Sequence, residues 1–187
     1  MNAFIPALLV VLIAETGGKT QALAHGYGMV RQMPRGLSAL FTTSLIAYAV
    51  AAVAGMLIGQ ILPMEARNLM FGVALLAAGL PMVTKAKPSQ PPPIGGSAAR
   101  SLFAFARTQM GDAAQFLVFA LAVQGGSPTL AIMGALAGIM MAAFLPMALR
   151  NDWPQGRTLH SARWGGALIL SVAGFVVAIN ALGLVNR

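Results

Sequence analysis

Long apolar runs separated by short polar segments fill most of the chain. A helix that crosses the hydrocarbon of a bilayer needs about 20 mostly apolar residues, and several stretches reach or approach that length. They are 4–29, 37–62, 68–83, 101–123, 129–149 and 163–184. These runs lack the regular alternation of barrel strands and are rich in Ala, Leu, Gly and Met. The pattern predicts an all-α integral membrane protein with six transmembrane helices.

The composition supports this class of protein. Hydrophobic residues make up 58% of the chain and charged residues 9%, which excludes an ordinary water-soluble domain. Cysteine is absent, so we expect no disulfide framework, iron–sulfur cluster or thiolate metal site. The sequence has no Gly-x-Ser-x-Gly, His-Glu-x-x-His or Walker motif. We therefore expect neither hydrolase chemistry nor direct use of ATP, and predict that the protein is not an enzyme.

The net charge is +8, and the basic residues cluster in alternate loops rather than on one face of a single element. The segments after the first, third and fifth predicted helices hold most of the basic residues, namely Arg31, Arg35, Lys85, Lys87, Arg100, Arg150, Arg157 and Arg163. Only Arg67 and Arg187 lie on the opposite side, while Lys19 and Arg107 fall in or near the membrane. Basic loops of membrane proteins are enriched on the cytoplasmic side, so both termini are predicted to be non-cytoplasmic. The lipid bilayer is the expected partner, and nucleic acid is not.

A Pro-rich and then Gly-rich segment, KAKPSQPPPIGGSAAR (85–100), divides the chain near its middle. Such a segment does not continue a helix and is predicted to be an extended cytoplasmic linker. It separates a first three-helix repeat, 1–84, from a second, 101–187. Because each half has an odd number of helices, the two halves would cross the membrane in opposite directions. This is the inverted-repeat plan of many secondary transporters.

A weak internal similarity follows the same division. When the chain is compared with itself at a shift of 94 positions, Gly17 meets Gly111 and Gln21 meets Gln115. Both matches fall on the first predicted helix of a half, where a duplication would place them. In such transporters the ion site forms near the midplane, where the repeats meet.

Glu15 and Asp112 are two of only four acidic residues, and both lie inside apolar stretches. A charged side chain at the centre of a membrane helix costs at least ~2.5–3.5 kcal/mol, so it normally faces inward and belongs to an ion or proton pathway. A bound divalent cation and protons would compete for the same carboxylate oxygens. The two acids therefore predict a secondary transporter with a shared cation and proton site.

Other oxygen-bearing groups near these acids could complete a ligand set for a hard or borderline cation such as Ca²⁺ or Mn²⁺. The metal-binding carboxylates are Glu15 and Asp112, and the additional candidates are Thr20, Gln21, Thr108, Gln109, Gln115 and the backbone beside Gly17, Gly18 and Gly111. Glycine pairs also weaken a helix locally, and irregular backbone at membrane depth is tolerated where it lines a cavity.

The sequence resembles the six-helix cation/proton exchangers typified by transmembrane protein 165 of the Golgi and its bacterial manganese-exporting relatives. Their signature, Glu-x-Gly-Asp-Lys/Arg-Ser/Thr, occurs once in the first helix of each half. The first copy here is Glu15-Thr16-Gly17-Gly18-Lys19-Thr20, with Gly in place of Asp. The second copy is Gln109-Met110-Gly111-Asp112-Ala113-Ala114, with Gln in place of Glu and Ala in place of the base. Together the two copies retain one Glu and one Asp.

The resemblance implies exchange of manganese, and after it calcium, for protons. It implies no resident cofactor, since the metal ion is the transported substrate, and it implies a bacterial-type inner membrane location. A homodimer is compatible with this class.

The charge of the predicted site leaves alternatives open. Glu15 and Asp112 face Lys19 and Arg107, which gives a neutral site that attracts a divalent cation poorly. Lys19 follows Glu15 by four residues, the favourable spacing for a helical ion pair. The open alternatives are an exporter of another cation that uses Glu15 alone, and a degenerate protein without transport in which Glu15 and Lys19 form an inert pair.

Two pairs of glycines have the spacing that allows close helix approach. Gly55 and Gly59 lie in the second predicted helix of the first half, and Gly134 and Gly138 in the second helix of the other. We expect them to pack helices together and to have no chemical role.

Overall fold

A computed structural model describes residues 3–83, 97–125, 127–154 and 156–183, and in these residues the regular structure is entirely helical. The α-helices are α1 (Phe4–Glu15), α2 (Lys19–Met29), α3 (Met33–Ile61), α4 (Met64–Val83), α5 (Ala98–Gln109), α6 (Ala113–Val123), α7 (Pro128–Leu149) and α8 (Arg157–Ala181). A short 3₁₀ turn, Arg150–Asp152, follows α7.

Four of these helices, α3, α4, α7 and α8, are long and apolar enough to cross a membrane. A fifth span is obtained if α1 and α2, which are bent by 74° relative to each other, count as one broken helix. The helix α6 is apolar but short. The all-helical class is thus confirmed, and four or five candidate spans are found where the sequence predicts six.

The outer faces of the long helices carry large apolar side chains. Ile46, Val50, Ile61, Leu168 and Phe175 are among those that are more than half exposed. Exposed apolar surface of this extent is unusual for a soluble monomer and suits contact with lipid chains. Together with the lengths of the helices, it indicates a multi-pass membrane protein.

Most helix limits lie within a few residues of those predicted, with three differences. The apolar stretches 4–29 and 101–123 are each two helices rather than one. The last helix begins at Arg157, because its first turns are polar and were not counted by hydrophobicity. The helix α5 begins at Ala98, inside the predicted linker, while residues 85–96 of that linker lie outside the described residues.

The predicted close-packing glycines do bring helices together. A Cβ on Gly59 would lie 2.6 Å from the carbonyl oxygen of Val123, so α3 and α6 are in backbone contact. A Cβ on Gly138 would lie 2.6 Å from the carbonyl oxygen of Leu8, so α7 and α1 are in the same kind of contact. These contacts fix the two broken helices against the long helices of the opposite half.

A paired-carboxylate site between two broken helices

The two helix breaks have the same backbone geometry. Gly17 and Gly111 have φ values of 65° and 71°, in the left-handed region that glycine adopts without steric cost. Beside them, the amide of Gly18 donates to the carbonyl of Glu15 at 2.9 Å, and the amide of Asp112 donates to the carbonyl of Gln109 at 3.2 Å. The breaks thus fall 94 positions apart, at the shift found in the sequence, and confirm that the glycines interrupt both helices.

Each break exposes helix termini in the interior of the bundle. The helices α1 and α5 end at Glu15 and Gln109, with their free carbonyl groups at that end. The helices α2 and α6 begin after Gly18 and Asp112, with their free amide groups there. The carbonyl end of a helix carries partial negative charge and the amide end partial positive charge. Both kinds of charge are therefore available to an ion at the breaks.

The structure brings Glu15 and Asp112 together. Glu15 is buried, with 3% of its surface exposed. The side chains of Asp112 and Thr20 lie close to its carboxyl group and interact with it. Asp112 is half-buried at the amide end of α6. Within the part of the chain that the structure describes, Glu15 Oε1 has no hydrogen-bond partner. Two acids from different halves thus lie side by side, and one of their oxygens is unsatisfied in the described structure.

Tyr48 lies near these acids, although it was not among the residues predicted for the site. It lies on α3, is 1% exposed, and its hydroxyl group lies within electrostatic reach of both Glu15 and Asp112. Among the described residues this hydroxyl also has no hydrogen-bond partner. The only hint in the sequence is that Tyr48 follows Ser44 by one helical turn, which puts two hydroxyl groups on one face of an otherwise apolar helix.

The glutamines hold the breaks in place. Gln21 accepts a hydrogen bond from the Gly17 amide at 2.6 Å and donates one to the carbonyl of Ala142 on α7 at 2.9 Å. Gln115 donates to the carbonyl of Ala47 on α3 at 3.4 Å. Each glutamine thus ties a broken helix to the long helix of the opposite half. These contacts show that the glutamines stabilise the helix breaks. Binding of a cation by either glutamine stays a prediction.

Gln109 occupies the position equivalent to Glu15 but has a different environment. Its side-chain amide donates to the hydroxyl group of Ser44 on α3. Thr108, another predicted ligand, uses its hydroxyl group to bond the carbonyl of Phe105 at 2.8 Å. In the described structure these two groups already have protein partners, whereas Glu15 Oε1 does not.

Arg163 covers the first break. It was assigned to a basic loop from the sequence, but it is a buried residue of α8. Its guanidinium donates to the carbonyl of Gly17, to that of Pro81 at 3.1 Å and to that of Met82 at 3.4 Å. Carbonyl groups at helix ends are suitable partners for a cation. One carbonyl that the sequence analysis offered to a metal ion is therefore bound to Arg163.

The second break is uncovered by comparison. A Cβ on Gly111 would meet no atom of the described residues within 4 Å, whereas a Cβ on Gly17 would lie 2.6 Å from Cδ of Arg163. Met110, beside Gly111, is 83% exposed. The paired acids are thus shielded on the Gly17 side and more open on the Gly111 side.

The predicted bases do not neutralise the acids. Lys19 is exposed at the start of α2, and Arg107 is exposed near the end of α5. The Glu15–Lys19 pair of the alternative interpretation requires a continuous helix, and the bend between α1 and α2 removes that geometry. The described residues show no ion pair between Glu15 and Lys19, which is exposed.

The donor set at this site is small. In the described ranges, no group of three or more His, Cys, Asp or Glu side chains could hold a metal ion together. Two carboxyl groups remain, with the hydroxyl groups of Tyr48 and Thr20 nearby.

The chain was compared with family models, curated proteins and solved structures, and none of them matches it.

Proposed function

We propose that this protein is a secondary transporter that exchanges a divalent cation for protons through Glu15 and Asp112. The observation that carries the proposal is the meeting of these two acids at two broken helices, with one carboxylate oxygen of Glu15 unpartnered in the described structure. A carboxyl group buried in an apolar bundle is costly, and such groups in membrane proteins mark ion and proton pathways.

The chemistry of two adjacent carboxyl groups supports exchange. Two carboxylates side by side repel each other and are relieved either by protons or by one cation between them. A divalent cation and two protons neutralise the pair equally, so alternation between these states would be electroneutral. The exposed positions of Lys19 and Arg107 leave the carboxyl groups available to such a partner.

The arrangement of the breaks supports the inverted-repeat part of the proposal. Discontinuous helices whose ends face a central site are the usual ion-binding device of inverted-repeat transporters. Here the breaks lie at equivalent positions, and their glutamine braces reach across to α7 and α3 in matching fashion. We propose two three-helix repeats of opposite orientation, with each broken pair serving as one span.

Manganese is the first substrate to test and calcium the second. Carboxylate and hydroxyl oxygens suit both ions, and a site without sulfur does not favour softer metals. The resemblance of the two motif copies to manganese exporters also favours manganese. The proposed location is a bacterial-type inner membrane with both chain termini on the non-cytoplasmic side.

The test is manganese-dependent proton movement in proteoliposomes. We expect flux from the unaltered protein and at most a few per cent of it, on the order of a hundredfold loss, from Glu15→Gln and from Asp112→Asn, because each removes a charge-neutralising partner. The matched controls are Glu65→Gln and Asp152→Asn, which change the other two acids, both exposed, and are expected to transport normally. Folded protein that moves no protons in response to manganese would refute the proposal.

A second candidate is proton-coupled export of another cation, with Glu15 as the essential acid. The observation that favours it is the absence of a third acidic or histidine ligand around the pair in the described residues. The same vesicles distinguish the two candidates when monovalent or organic cations replace manganese. Under this alternative Glu15→Gln abolishes the flux, and Asp112→Asn only reduces it.

A further inference from the structure

Tyr48 is buried without the hydrogen-bond partner that a buried tyrosine normally has. Buried tyrosine hydroxyl groups usually find a hydrogen-bond partner, because an unpaired polar group in the interior is costly. Tyr48 is 1% exposed and its hydroxyl group has no such partner among the described residues. Packing alone would be served better by phenylalanine at this position, so the hydroxyl group needs another explanation.

The second unpartnered buried atom is in the same place. Glu15 Oε1 and the Tyr48 hydroxyl are the unsatisfied buried side-chain atoms found in the described part of the chain, and Tyr48 lies within electrostatic reach of both Glu15 and Asp112. A hydroxyl and a carboxylate can bond directly, yet these two do not. Both oxygens therefore lack a partner among the described residues. The hydrogen bonds from Gln109 to Ser44 and from Gln115 to Ala47 hold this part of α3 beside the second break, where a third species can meet the hydroxyl group and the acids.

We propose that Tyr48 is a cation-binding residue of this site, and that its hydroxyl oxygen is a third ligand beside the carboxyl groups of Glu15 and Asp112. The phenol keeps its proton throughout. With a cation present, a lone pair of its oxygen faces the metal; with protons present, its O–H donates to a carboxyl oxygen. This inference rests on the proposed function, because it names a ligand for the transported ion.

The two halves differ at the position of Tyr48, and this difference supports a ligand role for its hydroxyl group. At the shift of 94 positions that relates the two halves, the residue that corresponds to Tyr48 is Ala142 on α7. Ala142 is buried and offers no oxygen from its side chain. Of these two long helices, α3 is therefore the one that can supply a hydroxyl ligand at this level, and Ser44, one turn earlier on α3, is already bonded to Gln109.

The experiment measures manganese affinity from the paramagnetic resonance signal of the free ion, using the full-length protein purified in detergent. Tyr48→Phe removes only the hydroxyl oxygen and is expected to weaken manganese binding about ten- to hundredfold, the loss typical of one partner to a charged group. The matched control is Tyr27→Phe, because Tyr27 is the only other tyrosine and is a buried residue stacked on Phe105 at 5.5 Å. Its removal is expected to leave the affinity unchanged.

A spectroscopic measurement covers the case in which Tyr48→Phe does not fold. Terbium replaces the divalent cation, and its emission is excited through the tyrosine band in the unaltered protein and in Tyr27→Phe. A terbium ion beside Tyr48 is expected to show tyrosine-sensitised emission that persists in Tyr27→Phe and disappears when manganese displaces it. Sensitised emission that is lost in Tyr27→Phe, or absent although terbium binds, would overturn the inference.

The outcomes separate this inference from the function on which it rests. If the unaltered protein binds neither manganese nor terbium, the proposed cation transport is wrong and the role of Tyr48 is wrong with it. If the unaltered protein binds manganese and folded Tyr48→Phe binds it equally well, only the role of Tyr48 is wrong. Weaker binding in Tyr48→Phe with normal binding in Tyr27→Phe supports the inference.

Discussion

Glu15 is the residue at which stability and function conflict most directly. Its carboxyl group is buried beside a second acid, and in the described structure one of its oxygens is unpartnered. An arrangement of this kind lowers stability, and proteins retain such arrangements mainly at functional sites. Under the proposed function, a proton or a cation that occupies the site during part of the transport cycle offsets this cost.

Removing this charge is therefore expected to stabilise the resting protein. Glu15→Gln replaces a carboxyl group by a neutral amide that can donate to Asp112, and should increase the free energy of unfolding by about 1 kcal/mol or more. Thermal unfolding in detergent at neutral pH without divalent cations measures the effect. Glu65→Gln, an exposed acid, is the control and should leave the midpoint unchanged.

The opposite result would favour the alternative without transport. Breaking a buried ion pair by removing one partner costs about 3–5 kcal/mol. A loss of that size in Glu15→Gln would mean that the carboxyl group has a cationic partner in the membrane-embedded protein. The exposed position of Lys19 in the structure argues against this outcome.

At the scale of elements, the two broken helices differ mainly in what covers them. Both breaks use a left-handed glycine, but Gly17 lies against Arg163 whereas Gly111 faces open space. Arg163 lies on α8 and bonds both the break after α1 and the carboxyl end of α4, so it connects three elements. The first break is therefore tied to two other helices, and the second lacks such a tie among the described residues.

Matched alanine substitutions isolate this difference. An L-residue in the left-handed region costs roughly 1–2 kcal/mol, and this cost should be common to Gly17→Ala and Gly111→Ala. Gly17→Ala also forces the Arg163 side chain away, so its loss of unfolding free energy should exceed that of Gly111→Ala by about 1–3 kcal/mol. Thermal unfolding of the two variants measures the difference.

Equal losses in the two variants would contradict the covering role of Arg163. Gly165→Ala serves as a reference for folding and purification, because a Cβ at this exposed helical position would meet no atom within 4 Å. Alanine is the better helix former, so this variant should be neutral or slightly more stable.

The sequence indicated where the helices are weak, but not the breaks themselves or their surroundings. Gly17 and Gly111, which are 94 positions apart, suggested local weakening of both helices, although each apolar run was predicted as one helix. The partners of Arg163 lie 146, 82 and 81 positions away in the chain, so no local pattern could indicate them. Counting basic residues by loop instead assigned Arg163 to the cytoplasmic surface, because its position coincides with the start of the apolar run.

Tyr48 was missed for a related reason. Single hydroxyl groups on apolar helices are common, and the proximity of this one to two acids depends on how α3 packs against the broken helices. Glu15 and Asp112 could be selected early because a carboxyl group within an apolar stretch is unusual in itself. The sequence thus identified the charged members of the site, and the packing was needed for the neutral one.

At the scale of the whole molecule, contacts between the two halves mark two ends of the bundle. His25 near the end of α2 bonds the carbonyl of Arg150, which follows α7, at 2.9 Å. Near the other end, the side chain of Gln124 donates to that of Asn68 at 3.3 Å. Segments from different halves therefore meet at the same ends, as alternate loops of a multi-pass protein must. The bias of basic residues predicts that the end with Arg150 is cytoplasmic.

This orientation can be tested with single cysteines, because the chain has none of its own. Met64→Cys places a thiol at the exposed start of α4, and Thr158→Cys places one at the exposed start of α8. We expect a membrane-impermeant maleimide to label Met64→Cys in intact cells and to label Thr158→Cys only after permeabilisation. The cysteine-free protein is the control for background labelling. Labelling of Thr158→Cys alone from outside would reverse the orientation, and labelling of both from one side would contradict a membrane crossing between the two positions.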